Sequence, residues 1–287
     1  MSSAPLPLAG SFHEFSVAVH DVRSAVEFYE RLGFSQANTT DTFTHPYGVL
    51  TDARLFIGLH QRAGASPTLT FVRPGIAGSL GAFAAAGIHL TRCHTGEEVF
   101  NEIAFNDPFG HEVAVLEART YSPVPRDATD VSLCGDFAEV SLPVRDFSLA
   151  RAFWEPLGFV AAEEAPAPYP HLTLTSDHLD LAFHAPQVCA QPMLVFRAAD
   201  MPARLEQLRS LGMALAPAPA LVQAGAAGSA LLEGPGGTPL LLLEASEGPV
   251  AGAALGSPDS LRRSPGGSVR DDMEIDTHLI LHLQRAE

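Results

Sequence analysis

The sequence contains no lysine: its 17 basic residues are all arginine, against 33 acidic residues and a formal net charge of −16. Without lysine the chain has no amine side chain for Schiff-base chemistry and no phosphate-loop lysine. Nucleic acid is excluded as an expected partner, because binding a polyanion requires a basic surface that displaces counterions. An anionic membrane surface is disfavoured for the same reason.

Long apolar runs and paired cysteines are also missing. No run approaches the roughly 18 residues of a membrane span, and residues 1–12 lack the basic residue and the apolar length of a secretory signal. Cys93, Cys134 and Cys189 are odd in number without C-x-x-C spacing, which is typical of free thiols in a reducing compartment. Since 46% of the residues are hydrophobic, the chain can build a substantial core. We therefore expect a soluble, cytoplasmic, globular protein.

The most informative feature that is present is an internal repeat. Residues 12–34 (FHEFSVAVHDVRSAVEFYERLGF) match residues 137–159 (FAEVSLPVRDFSLARAFWEPLGF) at an offset of 125. The closing segments NDPFGHEVAVLEA and EGPGGTPLLLLEA also match, over residues 106–118 and 233–245. Matching segments at nearly constant spacing indicate a duplicated domain.

Each copy of the repeat opens with the pattern of a strand followed by a helix. Apolar and polar residues alternate over residues 15–19, the period of a half-buried strand. Asp21 then stands at the position of a helix N-cap, and apolar residues recur at helical spacing until Gly33. Glycine readily adopts the left-handed conformation that ends helices. The second copy repeats the pattern from Asp146 to Gly158.

Further strands and a second helix are predicted in each copy. The first copy contains YGVLTDARLFIGLH and PTLTFV before the helical AGSLGAFAAAG. The second copy contains HLTLTSDHLDLAFH and PMLVF before ADMPARLEQLRSLG. Each half therefore predicts two strand–helix–strands modules in tandem, an α+β domain whose sheets curl and whose helices lie on the outer face.

Composition predicts the domain boundaries. Residues 119–133 are polar, contain two prolines and are interpreted as a linker. Residues 247–287 are largely rich in Gly, Pro, Ser and Ala and are predicted to be a disordered C-terminal extension. With residues 1–10 as an N-terminal extension, residues 11–118 and 134–246 remain as the two domains.

The motif F-x-E-x-S-x-x-V-x-D, the helix ending FYERLGF and the closing NDPFGHEVAVLEA resemble the vicinal oxygen chelate superfamily. That superfamily includes glyoxalase I, extradiol dioxygenases and the bleomycin and fosfomycin resistance proteins. The resemblance covers about residues 11–246 and implies tandem βαβββ modules that form two glyoxalase/bleomycin-resistance-like domains with open, curled sheets around a cleft. It implies no single activity, because one fold supports many unrelated functions.

The resemblance also implies where a metal ion would be held, because metal-dependent members use His and Glu from the first and last strands of their modules. The corresponding positions are Glu14, Gly58, Thr68 and Ala114 in the first half and Glu139, Ala182, Met193 and Leu241 in the second. Each cleft thus keeps one carboxylate, whereas a catalytic zinc or non-haem iron usually needs three protein ligands. We therefore expect no cofactor.

Two glutamate–histidine pairs are the candidate catalytic and ligand-binding residues: Glu14 with His60, and Glu139 with His184. Each histidine lies two residues beyond a vacated ligand position, so it returns to the same face of its strand and is expected near the glutamate. Such a pair can act as acid and base. If a divalent metal (Fe, Mn, Ni or Zn) is bound, these pairs are its expected ligands. The alternative is that the histidines are strand-end residues near solvent and the glutamates ordinary polar residues.

Tyr47 and Tyr169 are predicted on loops at the mouths of the clefts, as further ligand contacts. The leading hypothesis for the function is binding of a small organic molecule in the clefts without a metal ion, as in the bleomycin-binding members. The acidic balance fits a cationic ligand. The alternative is a metal-dependent lyase, isomerase or dioxygenase of the glyoxalase I or extradiol type, and a third is a scaffold without ligand. A monomer or a homodimer is expected.

Overall fold

Two eight-stranded mixed sheets, one in each copy of the repeat, form the framework of the computed structural model of this chain. The structure describes residues 6–37, 43–52, 54–64, 66–118, 132–177, 179–217 and 228–245. The predicted extension 247–287 and nearly all of the predicted linker 119–133 lie outside the described residues. No helix among the described residues is long and apolar enough to cross a membrane.

The first half has the element order that its sequence predicts. Its elements are β1 (Ser11–Ala18), α1 (Val22–Arg31), β2 (Ser35–Gln36), β3 (Tyr47–Asp52), β4 (Leu55–His60), β5 (Thr68–Arg73), α2 (Ile76–Ala85), β6 (Leu90–His94), β7 (Glu102–Asn106) and β8 (Glu112–Glu117). In the sheet they follow the order β2-β3-β4-β1-β5-β8-β7-β6. The first strands of the two modules, β1 and β5, therefore meet at the centre, where they pair antiparallel.

The second half repeats this plan strand for strand. Its elements are β9 (Asp136–Pro143), α3 (Phe147–Trp154), β10 (Val160–Ala165), β11 (His171–Thr175), β12 (Asp180–His184), β13 (Met193–Ala198), α4 (Met201–Ser210), β14 (Leu215–Ala216), β15 (Ala230–Glu233) and β16 (Pro239–Glu244). The order β10-β11-β12-β9-β13-β16-β15-β14 is that of the first sheet. Neither sheet closes into a barrel, which confirms the predicted α+β fold of tandem βαβββ modules with open sheets.

The aspartates predicted as N-caps begin the first helix of each half. The Asp21 carboxylate accepts the backbone N–H of Ser24 at 3.1 Å, and Asp146 accepts that of Leu149 at 3.0 Å. Each satisfies one of the N–H groups that a helix leaves free in its first turn. The strand-to-helix turn is therefore fixed locally by the same residue type in both copies.

The first helices of the two halves end differently. Gly33 and Gly158 both have the predicted left-handed conformation, with φ of 89° and 109°. In the second half, however, the α-helix ends at Trp154 and a 3-10 turn, Glu155–Leu157, follows before the glycine. Pro156 explains the change, because proline has no backbone N–H to continue the helix ladder.

One hydrophobic core is shared by both halves. Aromatic side chains meet across the halves with ring centroids 6.1 to 6.3 Å apart, in the pairs Phe34–Phe196, Phe71–Phe159 and Phe105–Phe153. The backbone also joins the halves where Leu133 N–H donates to the Leu32 carbonyl at 2.8 Å. The core therefore packs against one face of each sheet. We refer to the opposite face, which carries Glu14 in the first half and Glu139 in the second, as the cleft of that half, after the clefts that the sequence analysis expects there.

Candidate functional site

Glu14 on β1 is the centre of a hydrogen-bonded cluster in the first half, although only 3% of the residue is exposed. Oε1 accepts the Ser16 hydroxyl at 2.6 Å and His60 Nε2 at 3.0 Å, and Oε2 accepts the Tyr47 hydroxyl at 2.6 Å. Strand register brings these groups together. Strand β4 lies between β1 and β3, and its residue His60 is opposite Tyr47 of β3. The predicted contact between Glu14 and His60 is made.

The pKa of Glu14 results from opposing effects. Burial raises it, while the hydrogen bond from His60, the charges of His13 and His60 and the Ser16 hydroxyl lower it, and the pKa lies below the ordinary value of 4.5. Glu14 is therefore ionised at neutral pH. Because an ionised carboxylate only accepts hydrogen bonds, the Nε2 of His60 carries a hydrogen atom.

His45 extends this cluster towards the surface. Its Nε2 lies 3.0 Å from His60 Nδ1, so the two imidazoles and Glu14 form a continuous chain. When His60 is neutral, its Nδ1 accepts the Nε2 hydrogen of His45. Burial, followed by the charges of His60 and Arg62, lowers the pKa of His45, whose side chain is half-buried. The chain can therefore carry a proton between the cleft and its mouth.

Aromatic rings surround His60. The Phe43 ring centroid lies 5.0 Å from that of His60 and 4.5 Å from that of Tyr47, and Tyr47 lies 4.6 Å from His60. Phe43 itself is 40% exposed. The mouth of the first cleft thus combines an exposed aromatic ring with a half-buried imidazole.

Glu139 occupies the corresponding position of the second half but has different partners. Its Oε2 accepts a long hydrogen bond from the Thr173 hydroxyl at 3.4 Å. Its Oε1 lies 3.9 Å from Nη2 of Arg197 and accepts no hydrogen bond. Burial raises the pKa of Glu139, and the charges of Arg197 and His171 offset this only in part. The two matched carboxylates therefore have pKa values shifted in opposite directions.

His184 does not contact Glu139 in the described structure, contrary to the sequence prediction. Its Nδ1 lies 2.7 Å from the Ser141 hydroxyl, and its Nε2 lies 3.0 Å from the Cys189 carbonyl oxygen. Both ring nitrogens are therefore already used. Since a carbonyl only accepts, Nε2 donates, and Nδ1 accepts the serine hydroxyl. Burial lowers the pKa of His184 to about 4, so this imidazole is neutral at pH 7.

The structure corrects the predicted loop position of Tyr47 but not that of Tyr169, which lies on the loop between β10 and β11. Tyr47 is the first residue of β3, within the run YGVLTDARLFIGLH that predicts strands, and its hydroxyl points inward to Glu14. Tyr169 is only 3% exposed and packs in an apolar cluster. The mouth is formed instead by Phe43 and His45, which the sequence analysis did not single out. The repeat contained a signal for His45, since it aligns with Tyr169 while Tyr47 aligns with His171.

The floors of the two clefts differ in chemistry at matched positions. Thr68, Thr70 and Ala114 line the first, whereas Met193, Val195 and Leu241 take their places in the second. The three apolar residues of the second floor pack with Tyr169 and Leu243 into one cluster. The floor of the first cleft therefore consists of small, mostly polar side chains, and that of the second consists of apolar side chains.

The residues of the first cleft do not fit a metal site of the superfamily's kind. Both Glu14 oxygens accept hydrogen bonds from protein groups, and both His60 nitrogens lie at hydrogen-bond distance from neighbours. At the other implied positions Gly58 and Ala114 supply no side-chain donor atom, and the Thr68 hydroxyl donates to Glu112 at 3.3 Å. No group of three or more His, Cys, Asp or Glu side chains in the described part of the chain is arranged to hold a metal ion.

A broad, open groove lies away from this cluster, between the two halves. Its walls include His20, Asp21 and Phe28 on one side and Gln191 and Glu233 on the other. Neither Glu14 nor His60 lines it. Because the groove lacks the convergent buried polar groups of the first cleft, the Glu14 cluster is the better candidate site.

Solved structures of extradiol dioxygenases share this fold of two open sheets built from paired βαβββ modules. The 2,3-dioxygenase LapB from Pseudomonas matches with a TM-score of 0.55 and 14% identity, covering 84% of this chain and 94% of that one. A catechol 2,3-dioxygenase matches with a TM-score of 0.53 and 12% identity, covering 85% and 89%. A homoprotocatechuate 2,3-dioxygenase variant from B. fuscum in complex with HPCA matches with a TM-score of 0.54 and 14% identity, covering 84% and 73%. No family model and no curated protein matches the chain.

Proposed function

We propose that this protein binds a small organic molecule at the mouth of the first cleft, against Phe43, His45 and Tyr47, without a metal ion. One observation carries the proposal. The buried carboxylate of Glu14 is fully hydrogen-bonded from within, and its network ends in a half-buried histidine beside an exposed aromatic ring. A few convergent polar groups next to aromatic surface are typical of ligand sites.

The charge of the cluster favours a ligand with a cationic or hydrogen-bond-donating group. Glu14 supplies a fixed negative charge behind Tyr47 and His60, and the net charge of −16 favours the approach of cations. The faces of Phe43 and Tyr47 attract cations as well. If the bound molecule exchanges a proton, the hydrogen-bonded imidazoles of His45 and His60 provide a path for it towards Glu14.

The proposal places the ligand in the first half only. In the second half the floor is filled by apolar side chains, and Glu139 lies apart from His184. Burial raises the pKa of Glu139 and so disfavours its charged form, which makes it a weaker partner for a cation than Glu14.

A metal-dependent lyase, isomerase or dioxygenase is the second candidate. Two observations favour it. The fold is shared with dioxygenases. In addition, Oε1 of Glu14 lies 3.0 Å from Nε2 of His60, and both glutamate and histidine are residue types that bind metals. The hydrogen bonds that occupy both residues, together with the missing third ligand, make it the weaker candidate.

The proposal is tested by a thermal-shift screen of small aromatic amines and other organic cations, with hits confirmed by calorimetry. A ligand at about 100 times its Kd adds roughly 2.7 kcal/mol to the free energy of unfolding, a readily visible shift. We expect His45→Ala and Phe43→Ala to abolish the shift.

Glu139→Gln is the matched control in the other cleft and should leave the shift unchanged. A ligand whose effect survives both mouth variants and disappears in the Glu139→Gln protein would contradict the proposal. Binding that requires added metal would instead support the second candidate.

A further inference from the structure

The Glu14 carboxylate lies directly against β4, over the backbone of Gly58. Gly58 pairs with Ser16 on one side and with Val49 on the other. A Cβ atom placed on Gly58 would overlap both carboxylate oxygens of Glu14. The carboxylate therefore occupies the space that the side chain of any other residue would take at this position.

The second half has alanine at the matching position. Ala182 pairs with the corresponding residues of its two neighbouring strands, as Gly58 does in the first half. Its methyl group thus stands where the first-half carboxylate lies. The carboxylate of Glu139 lies instead 3.4 Å from Thr173 and 3.9 Å from Arg197.

We propose that the residue at this position decides which cleft has a glutamate–histidine pair: Gly58 allows Glu14 to reach His60, and the methyl group of Ala182 keeps the second carboxylate from His184. Gly58 is thereby a positioning and specificity-determining residue of the first cleft. The inference rests on the function proposed above, because the pair it sets is the charged part of that site. Together with the apolar floor of the second half, this methyl group then confines binding of a cationic or donor ligand to one copy of the repeat.

The direct test is Gly58→Ala, with the Glu14 carboxyl followed by carbon NMR during a pH titration. The new methyl group should displace the carboxylate from His60, so the Glu14 pKa should rise from below 4.5 to above it. The affinity for a cleft ligand should fall at least about tenfold, since a hydrogen bond to a charged group contributes roughly 1.5–3 kcal/mol.

Gly48→Ala is the matched control on the neighbouring strand β3. A Cβ at Gly48 would meet Val22 and Val26, at 3.2 and 3.4 Å, and not the carboxylate. The Glu14 pKa should stay below 4.5 in this variant. A Glu14 pKa that stays low in Gly58→Ala as well would overturn the proposal.

A double variant covers the case in which Gly58→Ala alone fails to fold. Glu14→Ala removes the carboxylate and leaves room for the methyl group, so Glu14→Ala/Gly58→Ala should have the same urea midpoint as Glu14→Ala. If Gly58→Ala lowers the midpoint equally with and without the carboxylate, Gly58 is only a packing residue and the proposal is wrong.

Ala182→Gly is the reciprocal variant and should lower the Glu139 pKa. An unchanged titration of Glu139 would overturn the role given to Ala182. None of these titrations needs a ligand. They therefore test the positioning role even when no ligand of the first cleft is found, and a failed ligand screen would count against the proposed function alone.

Discussion

Glu14 and Glu139 show how far neighbouring side chains control a buried carboxyl. Both stand at the same place in the repeat and both are nearly inaccessible, with 3% and 6% exposure. The first has three strong donors and a lowered pKa; the second has one long hydrogen bond and a raised pKa. Donors that stabilise the charged form outweigh desolvation in the first half and fail to do so in the second.

Glutamine substitutions at Glu14 and Glu139 should distinguish the lowered pKa of the first carboxyl from the raised pKa of the second. The measurement is urea unfolding at several pH values. Glu14→Gln replaces an acceptor of three hydrogen bonds, so at pH 7 it should lower the free energy of unfolding by about 2–4 kcal/mol. A carboxyl with a lowered folded pKa stabilises above its unfolded value, near 4.5. That stabilisation is lost as the pH falls through the folded value, so the difference from the parent protein should shrink in acid.

Glu139→Gln is the counterpart and should behave in the opposite way. A carboxyl with a raised folded pKa makes its full contribution below about 4.5 and loses it as the pH rises through the folded value. The variant should therefore gain stability relative to the parent protein between pH 4 and pH 7. Parallel pH profiles for the two variants would show that the opposite pKa directions are wrong.

At the scale of single elements, the sequence predicted what depends on local pattern. The strand alternation before Asp21, the cap itself and the glycine after the helix all appear as expected, because each depends on residues a few positions apart. The early end of α3 is likewise local, because it follows from Pro156 two residues after Trp154. Tyr47 was placed on a loop although it opens the predicted strand run, because the pattern alone does not show that its pairing with β4 begins there, opposite His60.

Side-chain partners within the site were less predictable than the elements. The Glu14–His60 contact follows from strand order and face, both of which the resemblance supplied. The missing contact in the second half depends on a methyl group at Ala182 and on the Cys189 carbonyl that holds His184. Neither of these two contacts produces a periodic pattern in the sequence, so they could be recognised only in the structure.

The two helix caps provide a prediction at the element scale. Asp21→Ala and Asp146→Ala each remove a side-chain acceptor for the first helical turn, a loss that should lower Tm by about 2–4 °C. The corresponding Asn variants keep an acceptor oxygen and are the controls. Thermal unfolding followed by circular dichroism measures both, and equal Tm values for the Ala and Asn variants would contradict the capping role.

At the scale of the whole molecule, the duplication and the fold were predictable, and the activity was not. The repeat fixed two similar halves, and the motifs indicated a fold that solved dioxygenases share. The chemistry depends instead on a few substitutions at shared positions, such as Thr70 against Val195. Such exchanges leave the strand pattern intact while they change the lining of a cleft.

Metal content is the prediction that belongs to the whole protein. Purified without chelator, the chain should contain well below one equivalent of iron, manganese, nickel or zinc, because the residues that the structure describes include no set of three His, Cys, Asp or Glu ligands arranged for a metal ion. Elemental analysis of the parent protein beside Glu14→Ala and Glu139→Ala provides the comparison. About one equivalent of metal that disappears in either variant would instead favour the metal-dependent enzyme.

The core that joins the two halves has a consequence for how the duplicated gene is free to change. Because Phe34, Phe71 and Phe105 of one half pack on Phe196, Phe159 and Phe153 of the other, deleting either copy would expose the interior of its sibling. Selection on any function of one copy therefore preserves the other copy as well. The second copy can lose its own chemistry and persist as a scaffold, with mutational tolerance on its cleft face and strict constraint on the face it shares.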